Sequence, residues 1–365
     1  MNYLKQLVFF LIVICNTNLN ASSILLPMDS DGQQNHLKAY GITYWALDKQ
    51  YKASWLLNYR GGSFLLPDVA EIRKECQIRG VSFEILSDSE EASILADISS
   101  PSQNMESVVL EKAPKIAVYS PPGKQPWDDA VTMVLTYAEI PFKVVYDTEV
   151  LSDQLLLFDW LHLHHEDFTG QYGKFYGAYR NAPWYIEQKK EAEALAAKLG
   201  FAKVSQDKLA VAKKIRDFVI GGGFMFAMCS ATDSFDIALS AEGADICEPM
   251  FDGDDSEPNY QSKIDYNKTF AFKNFILDRK PDHYEFSDID MTEKRRVPFE
   301  KDYFTLMEFS AKWDVIPSML CQNHTQLVKG FMGQTTSFDS ELIKSNVLIL
   351  GKNELNGESR YIHGQ

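Results

Sequence analysis

Basic side chains are in the minority: 36 Lys and Arg stand against 51 Asp and Glu, a net charge of −15 over 365 residues. Phosphate neutralisation needs clustered Lys and Arg, so nucleic acid is excluded as a partner. Acidic groups spread along the chain describe a soluble surface instead. Cysteine is scarce as well, five in all. Cys76, Cys229, Cys247 and Cys321 lie too far apart for a disulfide framework or a CxxC metal knuckle, and each reads by default as a small buried hydrophobe. The chain has no internal repeat, no low-complexity tract and no P-loop. After its first twenty residues it has no apolar run long enough to anchor it in a membrane. What is present, 45% hydrophobic and 13% aromatic residues, suffices for one large or two ordinary folded domains.

The N-terminus carries Lys5, then the apolar run 7–14, then a polar stretch ending in Ala21-Ser22-Ser23. Charge, short apolar segment and small residues in that order form a secretory signal, expected over 1–23. Cleavage after Ser23 places small residues at both required positions. Ile14 is too bulky for a lipidation box at Cys15. The mature chain is therefore expected in the periplasm or outside the cell, with no stable membrane anchor, where disulfides are permitted.

Short apolar segments alternate with helical patterns, which predicts a parallel sheet. A first module over 24–112 reads as strand 24–28, helix 35–47, strand 53–57, helix 69–79 and strand 81–86, with 99–112 as a linker. A second over 113–365 reads as strand 115–119, loop 120–127, helix 128–138, and strands 142–146 and 160–164. An aromatic-rich insertion over 166–204 and a helix over 207–219, closed by three glycines, lead to strand 224–228. Residues 250–300 are acidic and irregular, and 347–350 and 361–362 read as late strands.

The strongest constellation is Phe226-Ala-Met-Cys-Ser-Ala-Thr-Asp233. A buried strand runs straight into Cys229, and a helix is expected from about Ser234. That layout is a nucleophile elbow, which exposes its central side chain at the C-terminal edge of a sheet. The turn needs small residues two before and two after, and Ala227 and Ala231 supply them. A helix N-terminus should lower the thiol pKa and offer the Ser230 N–H to an oxyanion. The plain alternative is a core cysteine between strand and helix.

The second constellation is His162, His164, His165, Glu166 and Asp167, at the end of the strand 160–164. His162 and His164 share one strand face, and His165 points to the other. Such groups are costly at a sheet end unless partnered. They could supply a base to Cys229, bind Zn²⁺ through His162 and His164, or serve structural hydrogen bonding. Asp252-Gly-Asp-Asp255 suggests calcium only weakly, since the twelve-residue ligand spacing is missing. Tyr172, Phe175, Tyr176, Tyr179, Trp184 and Tyr185 could stack on a sugar or peptide, or pack the insertion.

The element order from 115 to the Cys229 elbow resembles class I glutamine amidotransferase-like proteins. The chain also resembles exported bacterial proteins labelled asparagine synthetase B, through Trp127-Asp-Asp129, the segments 161–168 and 226–233, and Lys329-Gly-Phe-Met-Gly-Gln-Thr335. The resemblance implies a doubly wound α/β fold, a mostly parallel sheet with helices on both faces. Two departures stand out. The usual elbow is Gly-x-Cys-x-Gly, where this chain has two alanines. The usual His-x-Glu follows a late strand, and the resembled proteins continue into a Gly-Gly-His-Asp-Pro-Glu segment, so the second module is expected to be truncated. His363 is the only residue near the end that could stand in. An ATP-pyrophosphatase loop is missing, because Arg60-Gly-Gly-Ser63 does not match its Ser-Gly-Gly-x-Asp-Ser.

The expected function is cysteine-dependent amide or acyl chemistry without a cofactor. Cys229 is the nucleophile and Ser230 the oxyanion donor. His164 or His165, with Glu166, is the base, and Trp127 and Asp167 hold a small-molecule, amide or glycan substrate. The alternatives are a non-catalytic exported ligand-binding protein and a metal-dependent hydrolase built on His162–Asp167. Oligomeric state is not legible.

Overall fold

The computed structural model describes residues 23–121, 130–292, 294, 296–307, 310–313, 327–329, 337–353, 355 and 359–364, the last six by backbone alone. Two compact units divide the chain between Ala113 and Pro114, and residues 310–313 belong with the first.

The first unit is built on strands β1 (Ser23–Leu26), β2 (Ala53–Leu57), β3 (Ser63–Pro67), β4 (Glu84–Leu86) and β5 (Glu106–Leu110), with helices α1 (His36–Asp48), α2 (Ala70–Arg79) and α3 (Asp88–Ser99). Sheet order is β4-β1-β3-β2-β5, and every pairing is antiparallel. This corrects the parallel sheet expected over 24–112. Between β2 and β3 the chain reverses through Asn58, Arg60, Gly61 and Gly62, all with positive φ, and the hairpin adds β3, a strand not expected from the sequence, ahead of the expected helix. Gly61 is required twice over, since φ is +77° and a Cβ would lie 2.4 Å from the Met28 carbonyl oxygen. The expected linker 99–112 also contains β5, whose Val108 and Val109 suit an edge strand. Asn35 caps α1 by accepting from Lys38 N–H, and Ser87 and Glu90 form a capping box on α3.

The second unit is built on a parallel sheet of β6 (Ile116–Tyr119), β7 (Phe142–Val145), β8 (Trp160–Leu163) and β9 (Phe224–Ala227), in the order β7-β6-β8-β9. Its helices are α4 (Ala130–Ala138), α5 (Asp147–Leu151), α6 (Tyr176–Tyr179), α7 (Pro183–Lys198), α8 (Val204–Ile220), α9 (Ala231–Ser240) and α10 (Pro249–Asp252). Period-two alternation sends Ala117 and Tyr119 into one core with Val211, Ile215, Phe235 and Leu239 of α8 and α9. Ile116 and Val118 go to another with Leu135 of α4. A second sheet, β11-β10-β12-β13, joins β10 (Tyr303–Leu306), β11 (Leu327–Lys329), β12 (Val347–Asn353) and β13 (Ser359–Gly364), all antiparallel.

Helix α9 is buried along its whole length, because Ile237 turns to a third core that contains Tyr260, Phe272, Phe275 and Phe286. Residues 260–289, irregular as expected, therefore form a packed cap of short turns. Asp236 fixes the cap: its carboxylate accepts from the N–H groups of Phe270, Ala271 and Phe272 at 2.7, 2.8 and 2.9 Å. In the aromatic insertion, Tyr172 and Tyr185 are buried in their own small core with Phe251.

Candidate functional site

Cys229 follows β9 with φ at 52°, a left-handed backbone that a β-carbon disfavours. Helix α9 begins two residues later, three earlier than expected, so the turn is tighter than the sequence suggested. Met228 N–H still pairs with Leu163 O at 2.9 Å, which keeps the elbow in register with β8. A strained nucleophile-type residue between a parallel strand and a buried helix is the geometry of a nucleophile elbow.

The loop after β8 is laced to that elbow. Ser230 Oγ donates to the His165 carbonyl at 2.7 Å, and Ser234 Oγ donates to the Glu166 carbonyl at 3.2 Å. His164 and His165 are joined Nδ1 to Nδ1 at 2.9 Å, so one ring donates and the other accepts. Buried Glu166 accepts from the His164 N–H at 3.1 Å. Residues 164–166 and 229–230 thus gather at the C-terminal edge of one parallel sheet, where open α/β sheets place their ligands. His162 lies deeper and stacks on Phe226 of β9, rings 5.6 Å apart.

Cys229 is exposed, yet the protein around its sulfur is dense enough for burial to push the thiol above its ordinary value. Against burial act the neighbouring Ser230 N–H and Tyr284 hydroxyl, both of which favour the thiolate, while Asp233 adds to the rise. The net direction corrects the expected lowering. The helix N-terminus does favour the thiolate, but burial outweighs it. Asp233, in the first turn of α9, is buried, and its pKa stands well above the usual carboxylate range because of burial, Asp290 and Asp167.

Asp167, expected to hold substrate, instead organises its own loop. One carboxylate oxygen accepts from Thr169 N–H and Oγ1, both at 2.6 Å, and the other from Gly173 N–H at 3.0 Å. Trp127 lies outside the described residues, as do Cys321 and most of 329–335. His363 sits opposite Leu348 in the β12–β13 ladder, a different sheet from the one that carries Cys229.

Among the described residues, the ligand atoms of Asp245, Cys247 and Asp252 form the one metal-like group, and it does not include the histidines. The Lys203 ammonium already lies 2.5 Å from Asp245, 3.0 Å from Asp252 and 2.5 Å from Asp254. Asp252 and Asp254 therefore grip a lysine where calcium was considered. Two features escaped the sequence reading. Tyr284 lies 55 positions beyond Cys229, with no motif to mark it. The other is a buried network at the ends of β6 and β7. There Lys208 Nζ donates to both Asp147 oxygens at 2.8 Å, to Tyr119 Oη at 2.9 Å and to Tyr146 Oη at 3.0 Å.

Comparison with protein-family models, curated proteins and solved structures returns no match. The chemistry of this chain has to be argued from its own residues.

Proposed function

We propose that the second unit is a doubly wound, amidotransferase-like module whose Cys229 carries out acyl transfer or hydrolysis on an amide or ester. One observation carries the reading: a non-glycine residue with a thiol holds a left-handed backbone at the strand-to-helix turn. Strain of that kind costs about 1–2 kcal/mol and persists where a side chain must be presented. The strand order β7-β6-β8-β9 matches the start of the flavodoxin-like order, which supports the doubly wound assignment.

In the proposed reaction Sγ bonds to the carbonyl carbon, and the thiol proton passes to an imidazole of His164 or His165. The carbonyl electron pair moves to its oxygen, which the Ser230 N–H stabilises. The imidazole then protonates the leaving amine or alcohol as its bond to carbon breaks. Water or an acceptor nucleophile cleaves the thioester. Substrate is a small amide, ester or glycan-linked acyl compound, and no cofactor enters.

A second reading, an exported ligand-binding protein without turnover, draws on the upward shift of the Cys229 thiol, which reduces thiolate at neutral pH. Export in either reading rests on the pattern of residues 1–23. No described helix is long and apolar enough to cross a membrane. Incubation of the native protein with p-nitrophenyl acetate, followed by peptide mass spectrometry, separates the two readings. An acyl adduct on Cys229 that hydroxylamine removes supports the enzyme. A native thiol that stays unacylated while the denatured one reacts sinks it.

A further inference from the structure

Between the start of α8 and the far end of α9 lies a cavity of about 250 Å³, which shares no residue with the Cys229 elbow. Its walls are largely apolar, with Phe168 and Leu209 beside Ala238, Ala241 and Ile246. Phe168 is wholly buried, and Leu209, in the second turn of α8, is half-buried. Ala238 and Ala241 stand one turn apart at the end of α9 and leave room that larger side chains would fill.

The charged groups that line this cavity are Asp245 and Lys203. Three carboxylates already crowd the lysine, Asp245 at 2.5 Å, Asp252 at 3.0 Å and Asp254 at 2.5 Å, so this end of the site carries a surplus of negative charge. Asp245 is held in place by Lys203 on Oδ2 and by the Cys247 N–H on Oδ1, at 3.1 Å. Each carboxylate oxygen has two lone pairs, which leaves Asp245 with acceptor capacity to spare. The Asp252 side chain behind it is 6% exposed, and its Oδ1 accepts no hydrogen bond. The first turn of α8 also opens here through Ser205, with no side chain capping it. A helix N-terminus carries about half a positive charge, which the surplus carboxylates outweigh.

We infer that this cavity binds a small alkylammonium compound, its carbon chain between α8 and α9 and its charged head on Asp245. Apolar walls disfavour a sugar, whose hydroxyls would give up hydrogen bonds to water there. A carboxylate or phosphate head would lie against the carboxylates that already surround Lys203. An ammonium head instead brings charged donors to the unfilled lone pairs of Asp245. Binding involves no covalent step and does not depend on the chemistry at Cys229.

The test is a ligand-observed NMR titration of the full chain at neutral pH with three probes of equal chain length: hexylammonium, 1-hexanol and hexanoate. Hexylammonium should bind about tenfold more tightly than either of the others, the ratio expected of a charge-assisted hydrogen bond. Leu209→Trp, which fills the cavity, should abolish binding, and Asp245→Asn should bring hexylammonium down to the level of hexanol. If either variant does not fold, the other and the three wild-type titrations decide. Equal binding of amine and alcohol reduces the site to an apolar cleft, and tighter binding of hexanoate hands it to the α8 N-terminus. Either result overturns the inference. So does hexylammonium binding that survives Leu209→Trp, which is general attraction to an acidic surface. A wild-type protein that binds none of the three probes overturns it as well.

Discussion

Ser230 Oγ donates to the carbonyl oxygen of His165 across 2.7 Å, and so ties the loop that follows β8 to the elbow that follows β9. The two loops are 65 residues apart in sequence, and this hydroxyl joins them directly. Ser230→Ala should cost about 1 kcal/mol in urea unfolding. It should also slow acylation of Cys229 by displacing the imidazoles, while Ser230→Thr keeps the donor and most of the rate. If Ser230→Ala destabilises the protein but leaves acylation unchanged, the hydroxyl serves stability alone.

The Lys208 network is the costliest single point of failure in the parallel sheet. Lys208 and Asp147 are both buried, and two tyrosine hydroxyls complete the ammonium's shell. Lys208→Met leaves a buried carboxylate without its cation, a change that costs roughly 3–5 kcal/mol. Urea unfolding of the variant should show that loss at neutral pH.

Asp207 makes the same region sensitive to pH. It is raised to about 7 by burial and by the neighbouring Asp147. Between the ordinary carboxylate range near 4 and about pH 7, the folded state holds a proton that the unfolded chain has released. Stability from this group is therefore full below pH 4 and falls as pH rises through that window. Asp207→Asn keeps the shape of the side chain without the charge. The thermal midpoint of the variant should match wild type near pH 4 and exceed it above pH 7. A midpoint difference that does not vary with pH would refute the assignment.

The backbone at Cys229 predicts a gain. Cys229→Gly removes the Cβ penalty of the left-handed conformation, so it should raise stability by up to about 1 kcal/mol while abolishing acylation. Cys229→Ala keeps the penalty and should leave stability near wild type. Paired urea melts of the two variants separate backbone strain from loss of the thiol.

The parallel sheet was legible because each strand is a short apolar run with a helix beside it, as at 116–119 and 224–227. The elbow was legible because Ala227 and Ala231 flank Cys229. The antiparallel first unit was not, since its decisive feature is the left-handed run at Asn58–Gly62, and strand runs look alike whichever way they pair. Nor was the role of Asp167, whose carboxylate could equally have faced a substrate. Tyr284 and Lys174 were out of reach for a different reason. Lys174 meets the hairpin that carries Tyr284 only through tertiary folding of an acidic, aperiodic segment, and no local pattern encodes it.

The left-handed turn at Cys229 also sets the direction in which this protein would drift. A copy freed from any need for a thiol gains folding stability from the very substitution that disarms it, because glycine suits that backbone and cysteine does not. Descent from active to inert therefore runs downhill at this position.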